Sequence, residues 1–88
     1  MDLAGWLAGH RVALTGCDTW SYGPYPAEQP DRPFAVPQWL NTRHGIVVAE
    51  NLRLAEAAAA GLTEFLLVLS HAKLRGATGA WICPLAII

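Results

Sequence analysis

Glu50 is the residue in this sequence whose type and position could most clearly support chemistry. It directly follows the apolar run IVVA at residues 46–49, which has the composition of a buried strand. A carboxylate at the end of such a strand can ligate a metal ion or act as a general acid or base. The same arrangement is also a common way to end a strand with a solvated charge. Glu50 taken alone leaves both interpretations open.

The other ionisable residues have no catalytic spacing. His10, His44 and His71 form neither an HxH nor an HxxxH pair, so each is more typical of a surface or hydrogen-bonded histidine than of a metal ligand. Asp18 follows an apolar run and a glycine, where it could be a functional carboxylate or form an Asx-type turn. The sequence contains neither a P-loop nor a GxSxG nucleophile elbow. Local spacing alone therefore predicts no active site.

Trp20, Tyr22 and Trp39 form a second candidate site. They lie at the two ends of a proline-rich loop at residues 21–37, whose five prolines neither a helix nor a central strand tolerates. Loops of this length commonly carry a function or cover other parts of the protein. The three aromatic side chains could line an apolar binding pocket, and packing in a core or an interface is the alternative.

The composition indicates one small domain over residues 1–88, with more apolar surface than it can bury. Hydrophobic residues make up 53% of the 88 residues and charged residues 15%, and chains of this length bury only a modest fraction of their surface. Part of the apolar surface is therefore expected to face another chain or another copy of this one. The net charge of −1 gives no electrostatic reason to expect nucleic acid or a membrane as partner.

The cytoplasm is the predicted compartment by default. No apolar run approaches the ~18 residues of a membrane span. The first ten residues contain an acid and lack the basic region of a signal peptide. Cys17 and Cys83 have no CxxC spacing, and we expect them to be reduced, structural cysteines.

Three short helices are predicted, the first from hydrophobic periodicity, the second from its position after Pro37 and the third from helix propensity. They are expected over residues 3–9, 38–43 and 52–60. In the first, Leu3, Trp6 and Leu7 are predicted to share an apolar face. Gly45 and Gly61 are expected to end the second and third helices.

Four strands complete the predicted α/β framework. They are expected over residues 11–15, 46–49, 64–70 and 81–88. Pro84 lacks a backbone N–H, so the last strand is predicted to lie at a sheet edge or to contain a bulge.

Four blocks of sequence, taken together, resemble a known family. They are GCDTW at residues 16–20, FAVPQWLNTRHGIVVAENL at 34–52, TEFLLVL at 63–69 and KLRGATGAWICPLAI at 73–87. In order and spacing they are similar to GxDTW, FxVHQxLxxxxGIxxxENL, EFxFx and KxxGATGSPxxPxAI of the cyclase family. These metal-dependent hydrolases include bacterial kynurenine formamidase and isatin hydrolase. The resemblance covers nearly all 88 residues and is confined to the C-terminal part of the family fold.

The resemblance implies a fold and an activity. The fold would be α/β, with a partial swivelling-type β-sheet core and short flanking helices, in a family that usually forms dimers or tetramers. The activity would be hydrolysis of amide or lactone bonds with Mn or Zn, which activates a bound water and polarises the carbonyl. The family's main ligands come from an HxGTHxD motif in the N-terminal half, and these 88 residues contain no such motif.

The resemblance also assigns site residues. Glu50 matches a glutamate that ligates a second metal in some family members. The histidine that would be its partner is replaced by Pro37, which has no side-chain donor atom, and Gln38 matches a family glutamine rather than a ligand. Gly23 stands near the position of a further family glutamate. One of the two ligands that this part of the family fold supplies is therefore lost.

Three hypotheses follow. The first is a truncated or degenerate homologue that is not catalytic alone, needs no cofactor, and acts as a structural, binding or pairing module in a homo-oligomer. The second is the C-terminal half of a split hydrolase, in which a partner chain carrying HxGTHxD completes a Mn or Zn site. The third is a recruited fold that binds a ligand through Trp20, Tyr22 and Trp39.

Overall fold

The computed structural model describes residues 2–88, which contain both helices and strands and make a mixed α/β protein. Contacts divide the chain into two compact units, Met1–Leu54 and Ala55–Ile88. The expectation that residues 1–88 form a single small domain stays a prediction. No helix within residues 2–88 is both long enough and apolar enough to cross a membrane.

The first unit is built on a parallel pair of strands. Its elements in chain order are helix α1 (Asp2–Gly9), strand β1 (Leu14–Gly16), helix α2 (Ala35–Gln38), a π-helical turn that continues α2 (Trp39–Arg43), and strand β2 (Val47–Ala49). In the parallel register Leu14 lies opposite Val47, and Gly16 opposite Ala49. Because parallel strands need a crossover connection, the proline-rich loop and α2 return the chain to the start of β2. The carboxyl ends of both strands therefore lie at the same edge.

The core of the first unit lies between α1, the π-helical turn and β2. It consists of Ala4, Leu7, Leu40 and Ile46, and Leu40 has 0% exposure. Gly45 has a φ of 64°, and the backbone N–H groups of Gly45 and Ile46 donate to the carbonyls of Asn41 and Leu40 at 3.0 Å each. The expected glycine stop is confirmed at Gly45, and this turn carries Ile46 into the core.

The second unit consists of a short helix and a hairpin-like pair of strands. Helix α3 spans Ala55–Ala59, strand β3 spans Leu66–Val68 and strand β4 spans Leu85–Ile87. β3 and β4 are antiparallel, with Leu66 opposite Ile87 and Val68 opposite Leu85. Gly61 has a φ of 68° and follows α3, so the second glycine stop is also confirmed. Within residues 55–88 no side chain is buried.

The N-terminal part of the chain departs from the sequence predictions in two places. On α1, Ala4 and Leu7 face the core, whereas Leu3 and Trp6 are 63% and 57% exposed, so the predicted apolar face is wrong for two of its three residues. The strand expected at residues 11–15 starts at Leu14. The reason is that Arg11, with a φ of 53°, donates its N–H to the Ala8 carbonyl and completes the end of α1.

The proline-rich loop expected at residues 21–37 ends earlier than predicted. Helix α2 begins at Ala35 and places Pro37 in its first turn. The first N–H groups of a helix have no intrahelical acceptor, so a proline there costs no hydrogen bond. Pro37 is therefore a helical residue rather than the last residue of a loop.

Two further boundaries are corrected. The helix expected at residues 52–60 starts at Ala55, and Leu52 before it belongs to a tertiary contact in which its N–H donates to the Cys17 carbonyl at 2.9 Å. The strands expected at residues 64–70 and 81–88 shorten to three residues each. Pro84 directly precedes β4. Both strands of a two-stranded sheet are edge strands, which agrees with the edge position predicted from Pro84.

Candidate functional site

The carboxyl ends of β1 and β2 bring the GCDTW segment at residues 16–20 against residues 50–52. The Cys17 N–H donates to the Ala49 carbonyl at 3.0 Å, and the Leu52 N–H donates back to the Cys17 carbonyl. The Asn51 N–H donates to the Thr19 carbonyl at 2.8 Å. Two segments far apart in sequence are thus held together by backbone hydrogen bonds.

Gly16 suits this close approach because it has no side chain, and Asn51 suits it by its backbone conformation. A Cβ atom on Gly16 would lie 2.5 Å from Leu52 Cδ1 and 3.4 Å from the Ala49 carbonyl oxygen, so a larger residue would displace the Leu52 side chain. Asn51 has a φ of 55°, a left-handed conformation that asparagine tolerates better than most residues. The residue types at both positions therefore have a local structural reason.

Glu50 connects this edge to the start of the proline-rich loop. Its Oε1 accepts a hydrogen bond from the Tyr22 backbone N–H at 2.8 Å, and the Glu50 side chain is exposed. The Tyr22 hydroxyl is hydrogen-bonded to Thr15 Oγ1 on β1 at 2.7 Å. Tyr22 is thus fixed at its backbone by Glu50 and at its hydroxyl by Thr15. In this arrangement Glu50 acts as a hydrogen-bond acceptor that positions a loop.

Metal-ligating residues are not brought together around Glu50. Among residues 2–88 no group of three or more His, Cys, Asp or Glu side chains lies close enough to hold a metal ion. Pro37, where the resemblance predicted the loss of a second ligand, lies in α2 and has no donor atom in its side chain.

The three histidines make local contacts. His10 stacks on Trp6 with ring centroids 4.0 Å apart, and the ring of His44 lies 4.1 Å from that of Trp39. The Nδ1 of His71 is hydrogen-bonded to the Ala72 carbonyl at 2.9 Å.

Cys17, Asp18 and Thr19 lie in the turn that follows β1. Cys17 and Cys83 are both free; Cys17 is half-buried, whereas Cys83 is exposed rather than packed in a core as a structural cysteine would be. Thr19 Oγ1 lies 3.3 Å from Cys17 Sγ and donates to the Ser21 carbonyl at 2.9 Å. Asp18 is exposed within this turn. The threonine of the GCDTW segment therefore orders the turn around the cysteine.

A cavity of about 170 Å³ lies beside this edge, between the proline-rich loop and α2. Tyr22 and Trp39, two of the three predicted pocket residues, line it. Trp20 is not among the lining residues; it is 56% exposed and makes edge contacts with the rings of Tyr25 and Phe34. The remaining lining is Ser21, Gly23, Pro24, Ala27, Glu28, Gln29, Arg32, Pro33, Ala35, Val36 and Pro37.

The polar part of this lining was not among the residues predicted from the sequence. Glu28, Gln29 and Arg32 lie in the proline-rich loop and reach the same cavity as Tyr22 and Trp39. The signal that could have found them is a cluster of polar and charged residues between prolines, in a loop flanked by aromatic residues. The cavity therefore has an aromatic side and a polar side.

Comparison of the chain with protein-family models, with curated proteins and with solved structures gives no match.

Proposed function

We propose that this chain is a degenerate homologue of the C-terminal part of cyclase-family hydrolases, with a partial swivelling-type sheet core, and that it acts in the cytoplasm as a pairing module. It needs no metal of its own and is not catalytic alone. The observation that carries the proposal is the exposed apolar surface of the second unit, within which no side chain is buried.

The pairing surface is one face of the β3–β4 sheet. Residues directly opposite each other in an antiparallel pair lie on the same face, so the register places Leu66, Val68, Leu85 and Ile87 together. Their exposures range from 46% to 64%. The exposed parts amount to roughly 350 Å² of apolar surface, on the scale of the ~300–600 Å² patches that are commonly functional. We call these four residues the β3–β4 face.

The proposed occupant of this face is a second copy of the chain. A two-stranded sheet is marginally stable alone, so packing against an identical face would bury the exposed apolar side chains of both copies at once. Two such faces would bury about 700 Å² of apolar surface, below the ~1,200 Å² at which specific, stable interfaces begin, so we expect weak self-association at about 100 µM.

Sedimentation velocity over a concentration series tests this pairing. Leu66→Asp puts a charge on the β3–β4 face and should leave the protein monomeric. Leu3→Asp is the matched control, because Leu3 on α1 is 63% exposed and Leu66 is 64% exposed; it should associate like the wild type. A wild type that stays monomeric to about 500 µM, or two variants that behave alike, would refute pairing through this face.

The absence of catalysis by the chain alone is supported by the surroundings of Glu50. One carboxylate oxygen accepts the Tyr22 N–H, and Pro37 offers no second ligand. Titration calorimetry with Mn and Zn, together with formamide and lactone hydrolysis assays, tests this part. Metal binding near micromolar affinity with turnover by the chain alone would overturn it.

The β3–β4 face also favours a second candidate function, the C-terminal half of a split hydrolase. Here the face would pack against a chain carrying HxGTHxD, and the joint site would hold Mn or Zn. Mixing the two chains should then yield a one-to-one complex with tightly bound metal and hydrolysis of formamides or lactones. A complex with neither metal nor turnover contradicts this alternative. It does not affect the proposal that two copies of the chain pair through the β3–β4 face.

A further inference from the structure

The cavity beside Tyr22 and Trp39 has walls that are held in place. Pro24, Pro33 and Pro37 line it, and each proline has its φ fixed near −65° by its ring. Tyr22 is anchored by hydrogen bonds at its N–H and at its hydroxyl. A pocket whose lining is ordered before binding loses little entropy when a ligand enters.

The size and the aromatic side of the cavity define the body of a ligand. Its volume of about 170 Å³ is close to the ~150 Å³ that holds a benzene ring and smaller than the ~300–1,000 Å³ of pockets for drug-sized ligands. Trp39 and Val36 supply apolar surface, and the ring of Trp39 is held against that of His44. One six-membered ring fits this space.

The polar side of the cavity defines the charge of that ligand. Arg32 lies between two turns, in which its N–H donates to the Gln29 carbonyl at 2.9 Å and its carbonyl accepts the Ala35 N–H at 3.2 Å. A guanidinium presents five N–H donors in a planar fork that matches a carboxylate. Glu28, the carboxylate in the lining, already has an interaction within the chain. Arg32 is the cationic residue in the lining that a carboxylate could reach.

We infer that this cavity binds a planar carboxylate with a single aromatic ring, of benzoate size, with the ring against Trp39 and Tyr22 and the carboxylate on Arg32. The inference goes beyond the pairing function and uses neither the β3–β4 face nor a metal. A failure of one therefore leaves the other untouched.

Titration of ¹⁵N-labelled protein with benzoate, followed at the Trp39 indole N–H, tests the inference. We expect binding at about 0.1–1 mM, as suits a ligand of nine non-hydrogen atoms. Benzamide keeps the ring and loses the charge, so it should bind about tenfold more weakly, which is the value of one charge-assisted hydrogen bond. Benzylamine reverses the charge and should not compete.

Arg32→Gln should weaken benzoate binding about tenfold. Arg43→Gln is the control, because Arg43 is exposed, lies in the same unit and does not line the cavity; it should change affinity less than about twofold. No benzoate shift at Trp39 up to about 10 mM, equal binding of benzoate and benzamide, or stronger binding of benzylamine would each overturn the inference. The ligand series on the wild type decides the question even if Arg32→Gln does not fold.

Discussion

The hydrogen bond between Glu50 and the Tyr22 backbone N–H leads to a prediction that separates a structural glutamate from a metal ligand. Glu50→Ala removes the acceptor 2.8 Å from that N–H, whereas Glu50→Gln keeps a carbonyl oxygen at the same place. An exposed hydrogen bond of this kind contributes about 1 kcal/mol. We therefore expect Glu50→Ala to lower the free energy of unfolding by about 1 kcal/mol and Glu50→Gln by less than half of that.

Hydrogen exchange at single amides measures this effect where it acts. Loss of about 1 kcal/mol at one amide corresponds to roughly fivefold faster exchange, so the Tyr22 amide should exchange about five times faster in Glu50→Ala than in the wild type. Thermal unfolding should show a decrease of about 4–8 °C in Tm for the same change. Glu64→Ala removes another exposed glutamate and is the matched control, with the Tyr22 amide unchanged.

Two results would refute the reasoning. If the Tyr22 amide exchanges at the same rate in Glu50→Ala and in the wild type, the hydrogen bond does not order the loop in solution. If Glu50→Gln is as damaging as Glu50→Ala, the charge of Glu50 matters rather than its role as an acceptor. The second result would show that the carboxylate charge strengthens this hydrogen bond.

The remaining predictions concern the core and the turns of the first unit. Leu40→Ala should destabilise the protein by about 3 kcal/mol in urea unfolding, because Leu40 has 0% exposure and the change leaves a cavity, whereas Leu3→Ala on the exposed side of α1 should cost less than about 0.5 kcal/mol. Gly45→Ala should cost about 1 kcal/mol in the same assay, because Gly45 has a φ of 64°; no loss would contradict the left-handed turn. Tyr22→Phe removes the hydroxyl bonded to Thr15 and should cost about 1 kcal/mol, and a Thr15→Val change in the same chain should then add little.

Features of the chain that depend on local chemistry were predictable from the sequence. Gly45 and Gly61 end helices because a left-handed residue at that position favours glycine, and both have positive φ. The apolar run at residues 46–49 contains a strand because apolar, β-branched residues suit a buried strand. Pro37 was expected next to a helix start, and the structure places it in the first turn.

Features that depend on contacts between distant residues were not predictable in this way. Leu52 was assigned to a helix by propensity, but its N–H is bonded to Cys17, 35 residues earlier in the chain. The helix begins only at Ala55, because propensity is worth a few tenths of a kcal/mol per residue and tertiary context decides the boundary. The approach of Arg32 to the same cavity as Trp39 is likewise set by the path of the loop, which periodicity does not encode.

The contact between residues 16–20 and 50–52 changes how the resemblance to metal-dependent hydrolases is interpreted. Gly16 lies where a Cβ would meet Leu52, Asn51 takes a left-handed conformation, and Glu50 accepts the Tyr22 N–H. Each of these residue types therefore has a packing or hydrogen-bonding reason that needs no metal. A fold that uses this edge to tie a loop to a parallel strand pair would retain the glycine, the glutamate and the asparagine even without a ligand at Pro37. The residues at 16–20 and 50–52 are thus evidence of how this edge of the strand pair is built. Evidence of catalysis would have to come from a second ligand or from a partner chain.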